Sequence, residues 1–351
     1  MQIIENIRMG GKVLAGKLLR KRSSLSVEFG ITYQCGLACK YCLLGDPENY
    51  FDPDKCSVKQ DMSLSQVRKV LSILGHLGVE RINLSGGEPL FRKDIDKVLE
   101  SAFLLKSKIS LTTNGLLVPQ YLDLLQKLDF LCISINGDKK THDHLAGAQT
   151  HDAVMRAIAL SKARGIQVLI SSVITACTTE DDLRFLLGLA DRYDMFCVFQ
   201  PVFEGGYFEK GYVRFNEFIP VVPTSGHLEG LFESIKNNPY RKRVVGGRNF
   251  IEFVLKFSRE KARGLPRPRP CTAGNGFFYI SPSGDMFPCS LRFQKLLKGK
   301  FYECSLQEIG KMGIGPVQCP GCCCYSNNIL DKIGRFDLQA LAGVLMDQYV
   351  Q

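Results

Sequence analysis

Apolar and polar positions between Leu25 and Val202 follow two periods in turn. Leu25 to Tyr33 (LSVEFGITY) alternates with a period of two, which predicts a strand. After a loop that runs through Asp61, Leu64, Val67, Leu71 and Leu74 recur at helical spacing. Ser63 stands before them as an N-cap residue, and Gly78 is the expected stop. The short run Arg81 to Leu84 predicts the next strand. The pattern repeats with a helix around Lys93 to Leu105, a strand at Ile109 to Thr112, a helix around Pro119 to Leu128 and a strand at Phe130 to Ile135. Helix Asp152 to Arg164, strand Gln167 to Ile174, helix Glu180 to Tyr193 and strand Phe196 to Val202 follow. Six such alternations joined by right-handed crossovers require an α/β fold with a parallel sheet. In folds of this kind the loops that carry chemistry lie at the C-terminal ends of the strands.

The pattern loosens from Phe203 to Lys261, with helices expected near Leu228 to Asn237 and Phe250 to Arg263. Gly264 to Pro270 (GLPRPRP) reads as a stiff extended linker. Beyond it, Phe277 to Ile280 and Asp285 to Phe287 flank Pro282, Ser283 and Gly284 as a β-hairpin, with Cys271 and Cys289 at its two ends. A hairpin brings its ends together, so both thiolates can reach one metal centre, and the later C-x2-C of Cys319 and Cys322 can supply two more. The expected divisions are a basic N-terminal segment (1–24), a barrel (25–203), a helical connector with the linker (204–270) and a small cysteine-bearing module of hairpin and helix (271–351).

Length and composition narrow this picture. At ~150 residues per domain, 351 residues suggest about two domains, and 45% hydrophobic residues are enough for a sizeable core. No apolar run reaches the ~18 residues of a membrane span and no secretory apolar region is visible, so a cytoplasmic protein is expected. Fourteen clumped cysteines in that setting point to metal or cluster binding rather than disulfides. The net charge of +10 is concentrated in Arg8 to Arg22, Arg241 to Arg243 and Arg263 to Arg269. These clusters are either solvated faces or contacts for an anionic partner. Residues 9–20 interleave Val13, Leu14, Leu18 and Leu19 with Lys12, Lys17 and Arg20, a partly amphipathic arrangement suited to peripheral contact with anionic lipid. A nucleic-acid partner is not expected.

The densest chemistry lies in Gln34 to Cys42, QCGLACKYC, where Cys35, Cys39 and Cys42 form a C-x3-C-x2-C array. Three thiolates can each hold one iron of a [4Fe-4S] cubane and leave the fourth iron open to a small ligand. Structural zinc normally takes four N/S ligands, usually from paired C-x2-C knuckles, and a three-cysteine loop does not complete such a site. At residues 85–89, SGGEP, Gly86 and Gly87 permit close backbone approach or positive φ.

The cysteine spacing, Tyr41 before the third cysteine and SGGEP together resemble the radical S-adenosylmethionine (SAM) superfamily. The resemblance implies an incomplete (βα)6 TIM-type barrel. It also implies a [4Fe-4S] cluster on Cys35, Cys39 and Cys42 whose open iron chelates the amino and carboxylate groups of SAM. By the same resemblance Gly86, Gly87 and Glu88 lie against the methionyl amino group, Tyr41 packs near adenine, and Thr113 and Ser134 line the SAM pocket. A reductant such as flavodoxin or ferredoxin is the implied partner. Ser134 to Gly137, followed by Thr141, His142 and Asp143, resembles an SxDG...HD segment of subfamilies with auxiliary clusters. Asn136 stands in place of its usual acidic residue, and a helix-capping pair is the alternative reading of His142 and Asp143.

The C-terminal region resembles the twitch and SPASM modules of these enzymes. Gly284 and Cys289 fit the module's spacing, but no cysteine follows Cys324. This implies a twitch-type module with one auxiliary [4Fe-4S] cluster on Cys271, Cys289, Cys319 and Cys322, with Cys323 and Cys324 competing for the last two places. A structural zinc site on the same four cysteines is the alternative. The resemblance implies reductive cleavage of SAM to a 5'-deoxyadenosyl radical and hydrogen abstraction from a substrate, assisted by the auxiliary cluster. Two other readings are adenosyl-radical addition to a membrane lipid, and a SAM-binding or electron-carrying iron-sulfur protein without turnover. No motif selects among small-molecule, lipid and peptide substrates, and no catalytic side chain beyond the cofactor ligands is assigned.

Overall fold

A computed structural model describes residues 26–42, 60–202, 205–208, 211–214, 221–264, 273–274, 276–290 and 295–311. The chain alternates through β1 (Ser26–Thr32), α1 (Leu64–His76), β2 (Arg81–Gly86), α2 (Ile95–Phe103), β3 (Lys108–Thr113), α3 (Leu122–Leu125) and β4 (Phe130–Ser134). It continues through α4 (Lys139–Ala146), α5 (His151–Ala163), β5 (Val168–Ile174), α6 (Glu180–Arg192) and β6 (Phe196–Pro201). A separate hairpin of β7 (Gly205–Phe208) and β8 (Gly211–Arg214), helices α7 (Ser225–Asn237) and α8 (Gly247–Ala262), strands β9 (Phe277–Ile280) and β10 (Met286–Phe287), and α9 (Leu306–Lys311) follow.

Strands β1 to β6 pair in parallel in chain order, as the alternation requires, within an open sheet ordered β10-β9-β1-β2-β3-β4-β5-β6. This is the expected partial barrel. Local signals set several boundaries. Ser63 and Gln66 form a capping box that starts α1, and Thr179 with Asp182 does the same for α6. The expected Pro119 to Leu128 helix is instead a 3-10 turn at Val118–Gln120 and the single turn α3, because Tyr121 departs from helical geometry between them. Helix α4 has no apolar periodicity to announce it. It forms because the Asp138 side chain accepts from Thr141 N and Gly147 closes its end at φ +71°.

The hairpin read at 277–287 is present as β9 and β10, and β9 lies parallel to β1 in the same sheet. Gly30 of β1 makes room for it, since a Cβ there would sit 2.9 Å from both Pro282 Cδ and the Tyr279 hydroxyl.

Each barrel strand is two-faced. Val27, Phe29, Ile31, Ile82, Leu84, Leu111, Leu131, Ile133, Ile170 and Phe199 are buried in the main apolar core. Full burial of such a side chain stabilises by about 1.5–3 kcal/mol. The alternate positions are mostly polar along β1 to β3 (Glu28, Asn83, Ser85, Ser110, Thr112), whereas along β4 to β6 Ser134, Ser171 and Gln200 alternate with the apolar Cys132, Leu169, Val173, Phe196 and Val198. A parallel sheet buried on both faces normally reads as continuous apolar runs. Here the concave face is polar along β1 to β3 and mixed along β4 to β6, as a ligand-facing surface would be. Among the described residues no helix is long and apolar enough to cross a membrane.

Candidate active site

β1 delivers the cysteine loop, and hydrogen bonds pin both ends of that loop. Asp61, on its return, accepts from Thr32 Oγ1 (2.5 Å) and Tyr33 N (2.8 Å). Buried Arg92 donates to the carbonyls of Ile31 (2.7 Å) and Met62 (2.8 Å) while Asp94 holds its guanidinium. Within the loop Cys42 N donates to Cys39 O (3.0 Å), and Lys40 N donates to Leu145 O of α4 (2.9 Å). Neither Asp61 nor Arg92 stood out in the sequence, because each acts on backbone groups brought to it by the fold.

The glycine turn after β2 lies on the exit of β1. Gly87 N donates to Thr32 O and Glu88 N to Gln34 O, both at 2.8 Å. A Cβ on Gly86 (φ +129°) would fall 2.3 Å from Thr32 O, and one on Gly87 2.3 Å from Gln34 O. The two glycines are therefore needed for a backbone-to-backbone approach that sets the position of Cys35.

Glu88 extends the arrangement to β3. Its carboxylate accepts from Leu90 N (3.1 Å), Thr113 Oγ1 (2.8 Å) and Asn114 N (2.7 Å). Burial raises its pKa while these three donors oppose the rise. Thr113 Oγ1 also accepts from Gly115 N (3.0 Å), so its hydroxyl serves the turn after β3. Burial raises the pKa of the Cys35 thiol, the Leu37 backbone N–H opposes the rise, and the charge of Glu88 adds to it.

On the other side of the loop, Asn136 Nδ2 donates to the Tyr41 hydroxyl at 2.7 Å. Ser134 occupies the C-terminal end of β4 on the concave face, paired in register with Ser171. His142 Nδ1 accepts from Asn136 N (3.2 Å), which leaves Nε2 to carry the proton toward Thr150 Oγ1 (3.1 Å). Burial, reinforced by nearby His151, lowers the His142 pKa to about 4. Asp143 accepts from Thr150 N and His151 N at 2.8 Å each, capping α5. Both residues of the HD pair thus hold local structure. Asp182, unremarked in the sequence, accepts from Asp138 N (2.9 Å) and Thr141 Oγ1 (3.1 Å), tying the turn after β4 to α6.

The donor set suits a cubane. In a cubane each thiolate binds a different iron, and Cys35, Cys39 and Cys42 on one loop supply three such thiols. Cys35, Cys39 and Cys42 influence one another electrostatically, and burial followed by the Cys42 charge pushes the Cys39 thiol up to about 11. Bound iron would overcome that cost by deprotonating the thiols.

Cys289 is half-buried after β10. Cys56, Cys271, Cys319, Cys322, Cys323 and Cys324 lie outside the described residues, as does the basic segment 1–24. Glu28 and Cys132 were not singled out in the sequence. Burial raises the pKa of Glu28 and pushes that of Cys132 up to about 11.

An open parallel α/β barrel with a three-cysteine loop at the end of its first strand, held by a glycine turn at the end of its second, defines a cofactor-dependent enzyme. Residues 30–187 match the Radical SAM superfamily, and this match together with the relatives below supports a radical SAM enzyme. The family match implies a [4Fe-4S] cluster and SAM. The chain is 24% identical over 252 residues to a GTP 3',8-cyclase of Synechocystis sp., covering 70% of this chain and 73% of the relative. It is 27% identical over 288 residues to a PqqA peptide cyclase of Xanthomonas campestris pv. campestris, covering 78% and 70%. Among solved structures, Streptococcus suis SuiB bound to S-adenosylmethionine is similar with a TM-score of 0.61 at 17% identity, covering 84% of this chain and 68% of that one. Native anSMEcpe with bound AdoMet gives 0.57 at 19% identity, covering 82% and 80%.

Proposed function

We propose that this enzyme holds its SAM-binding cluster on Cys35, Cys39 and Cys42 and acts on a peptide. In this reading, Gly86, Gly87 and Glu88 fix the loop against β1, Thr113 and Ser134 line the SAM pocket, and Tyr41 borders it. The bound cluster and SAM supply reductive cleavage to methionine and a 5'-deoxyadenosyl radical. The chain's own work is to bind and orient the substrate on the concave face and to keep water from the reacting atoms.

The observation that carries the substrate class is the polarity of that face. Asn83, Ser110 and Thr112 form a hydrogen-bonded set at 3.0–3.2 Å, and Ser85 Oγ donates to Glu28 at 3.2 Å. Such a surface suits amide and side-chain groups, which can exchange bonds with this set, and gains little from the apolar contact a lipid chain offers. Precursor peptide on SuiB, peptides on anSMEcpe and the peptide cyclase relatives support the same choice. An auxiliary [4Fe-4S] cluster on Cys271, Cys289, Cys319 and Cys322 belongs to this proposal.

Anaerobic incubation with SAM and dithionite tests the cluster assignment. The wild-type chain is expected to form 5'-deoxyadenosine, and simultaneous replacement of Cys35, Cys39 and Cys42 by Ala is expected to abolish it. Product formation by the triple variant would overturn the assignment.

A further inference from the structure

Glu28 puts a carboxylate into the polar half of the concave face, where it is half-buried and within reach of a ligand. Its Oε1 accepts from Ser85 Oγ at 3.2 Å. The neighbours on both flanks are neutral. Asn83, its register partner on β2, turns its amide to β3: Oδ1 accepts from Ser110 Oγ and Thr112 Oγ1 and Nδ2 donates to Thr112 Oγ1, at 3.0–3.2 Å. The register partner on β9 is Tyr279. Among the described residues no cation pairs with Glu28. Lys295 and Lys300, beyond β10, are both held by Asp285 at 3.1 and 2.9 Å, and Lys108 at the foot of β3 pairs with Asp129 at 3.0 Å. Arg81, at the foot of β2, is exposed. Burial raises the pKa of Glu28, and the Ser85 hydroxyl opposes the rise.

A carboxylate withdrawn from water recovers its lost hydration only from donors and opposite charge, so buried charges are ordinarily paired. Here the described chain supplies a hydroxyl donor and leaves the opposite charge to be brought in. We propose that Glu28 is a specificity-determining residue that takes an ammonium or guanidinium group of the substrate, so that the peptide presents a lysine or arginine to the β1–β3 half of the concave face. The inference rests on that face being the substrate surface, and it deepens the peptide reading by naming a side chain. Ser85 is a positioning residue, because its hydroxyl fixes one oxygen of the carboxylate. The same charge disfavours an anionic substrate such as a nucleotide.

The test is equilibrium dialysis of the full, anaerobically reconstituted chain with SAM and without reductant, using three probes. Two are the capped peptides acetyl-Gly-Gly-Lys-Gly-Gly-amide and its norleucine counterpart, which differ by the ammonium group alone. The third is n-butylammonium. The wild type is expected to bind the lysine peptide about tenfold more tightly than the norleucine peptide, as for one charged hydrogen bond. Glu28→Gln, which keeps the size of the side chain and an acceptor for Ser85, should bring that ratio close to one. In the unliganded chain the same substitution should leave the thermal unfolding midpoint unchanged or raise it, since it leaves no cation unpaired. A lowered midpoint would show that a cation of the chain already neutralises Glu28, and would overturn the inference. Equal binding of the two peptides by the wild type, or a lysine preference that survives in Glu28→Gln, would overturn it and leave the peptide reading standing. Glu28-dependent binding of n-butylammonium with no binding of either peptide would uphold the inference and overturn the peptide reading. Binding of none of the three probes would overturn both.

Discussion

Glu88 N donates to Gln34 O at 2.8 Å, so the glycine turn after the second strand is bonded to the residue directly preceding Cys35. The geometry of the cysteine loop therefore depends on a turn more than fifty positions away in the chain.

The first prediction concerns the closeness of that contact. In Gly87→Ala the new Cβ would meet Gln34 O at 2.3 Å, a backbone atom that cannot rotate aside. A loss of about 1–3 kcal/mol is expected, as for overpacking of a tight site, together with poor iron retention. Gly188 is the control. It lies inside α6 with no atom within 4 Å of its would-be Cβ, so Gly188→Ala should raise stability by up to about 1 kcal/mol. Urea unfolding and iron analysis of both variants would check the contrast.

Glu88→Gln keeps the size of the side chain but replaces one acceptor oxygen by a donor. Each carboxylate oxygen faces a backbone N–H, from Leu90 on one side and Asn114 on the other, so either amide orientation opposes two donors. Loss of a buried charge-assisted bond predicts destabilisation by about 1.5–3 kcal/mol, measured by urea unfolding. Weakened SAM binding, measured by calorimetry, should accompany it.

His142 should make stability depend on pH. Its pKa falls from 6.5 to about 4 on folding, so between these values the unfolded chain binds a proton that the folded chain excludes. Its contribution is complete above pH 6.5 and is lost as pH falls toward 4. At ~1.4 kcal/mol per pKa unit the loss is on the order of 2–3 kcal/mol. His142→Gln, which retains an acceptor for Asn136 N, should flatten this part of the profile in thermal unfolding measured from pH 7 to pH 4.5.

Metal content tests the C-terminal cysteines. Two [4Fe-4S] clusters predict about eight irons and eight acid-labile sulfides per reconstituted chain, against about four of each after Cys289→Ala. A wild-type plateau near four irons with bound zinc would instead assign the C-terminal cysteines to a structural metal.

By itself the sequence determined what short-range periodicity can encode. A period-two run located β1, short runs alternating with helical segments located β2 to β6, helical spacing behind Ser63 located α1, and the cysteine spacing marked the loop. Such features depend on neighbours a few residues apart, so they survive without knowledge of the fold. The tertiary structure decided the contacts between distant segments. It placed β9 beside β1, with Tyr33 and Ser283 sharing a hydrogen bond across 250 positions, and it set Asn136 against Tyr41 across 95. Helix α4 escaped the sequence because a single capping aspartate and a terminal glycine define it, without an apolar stripe. Arg92 and Asp61 escaped because their partners are carbonyls and N–H groups, which look alike at every position of a chain until folding brings particular ones within reach.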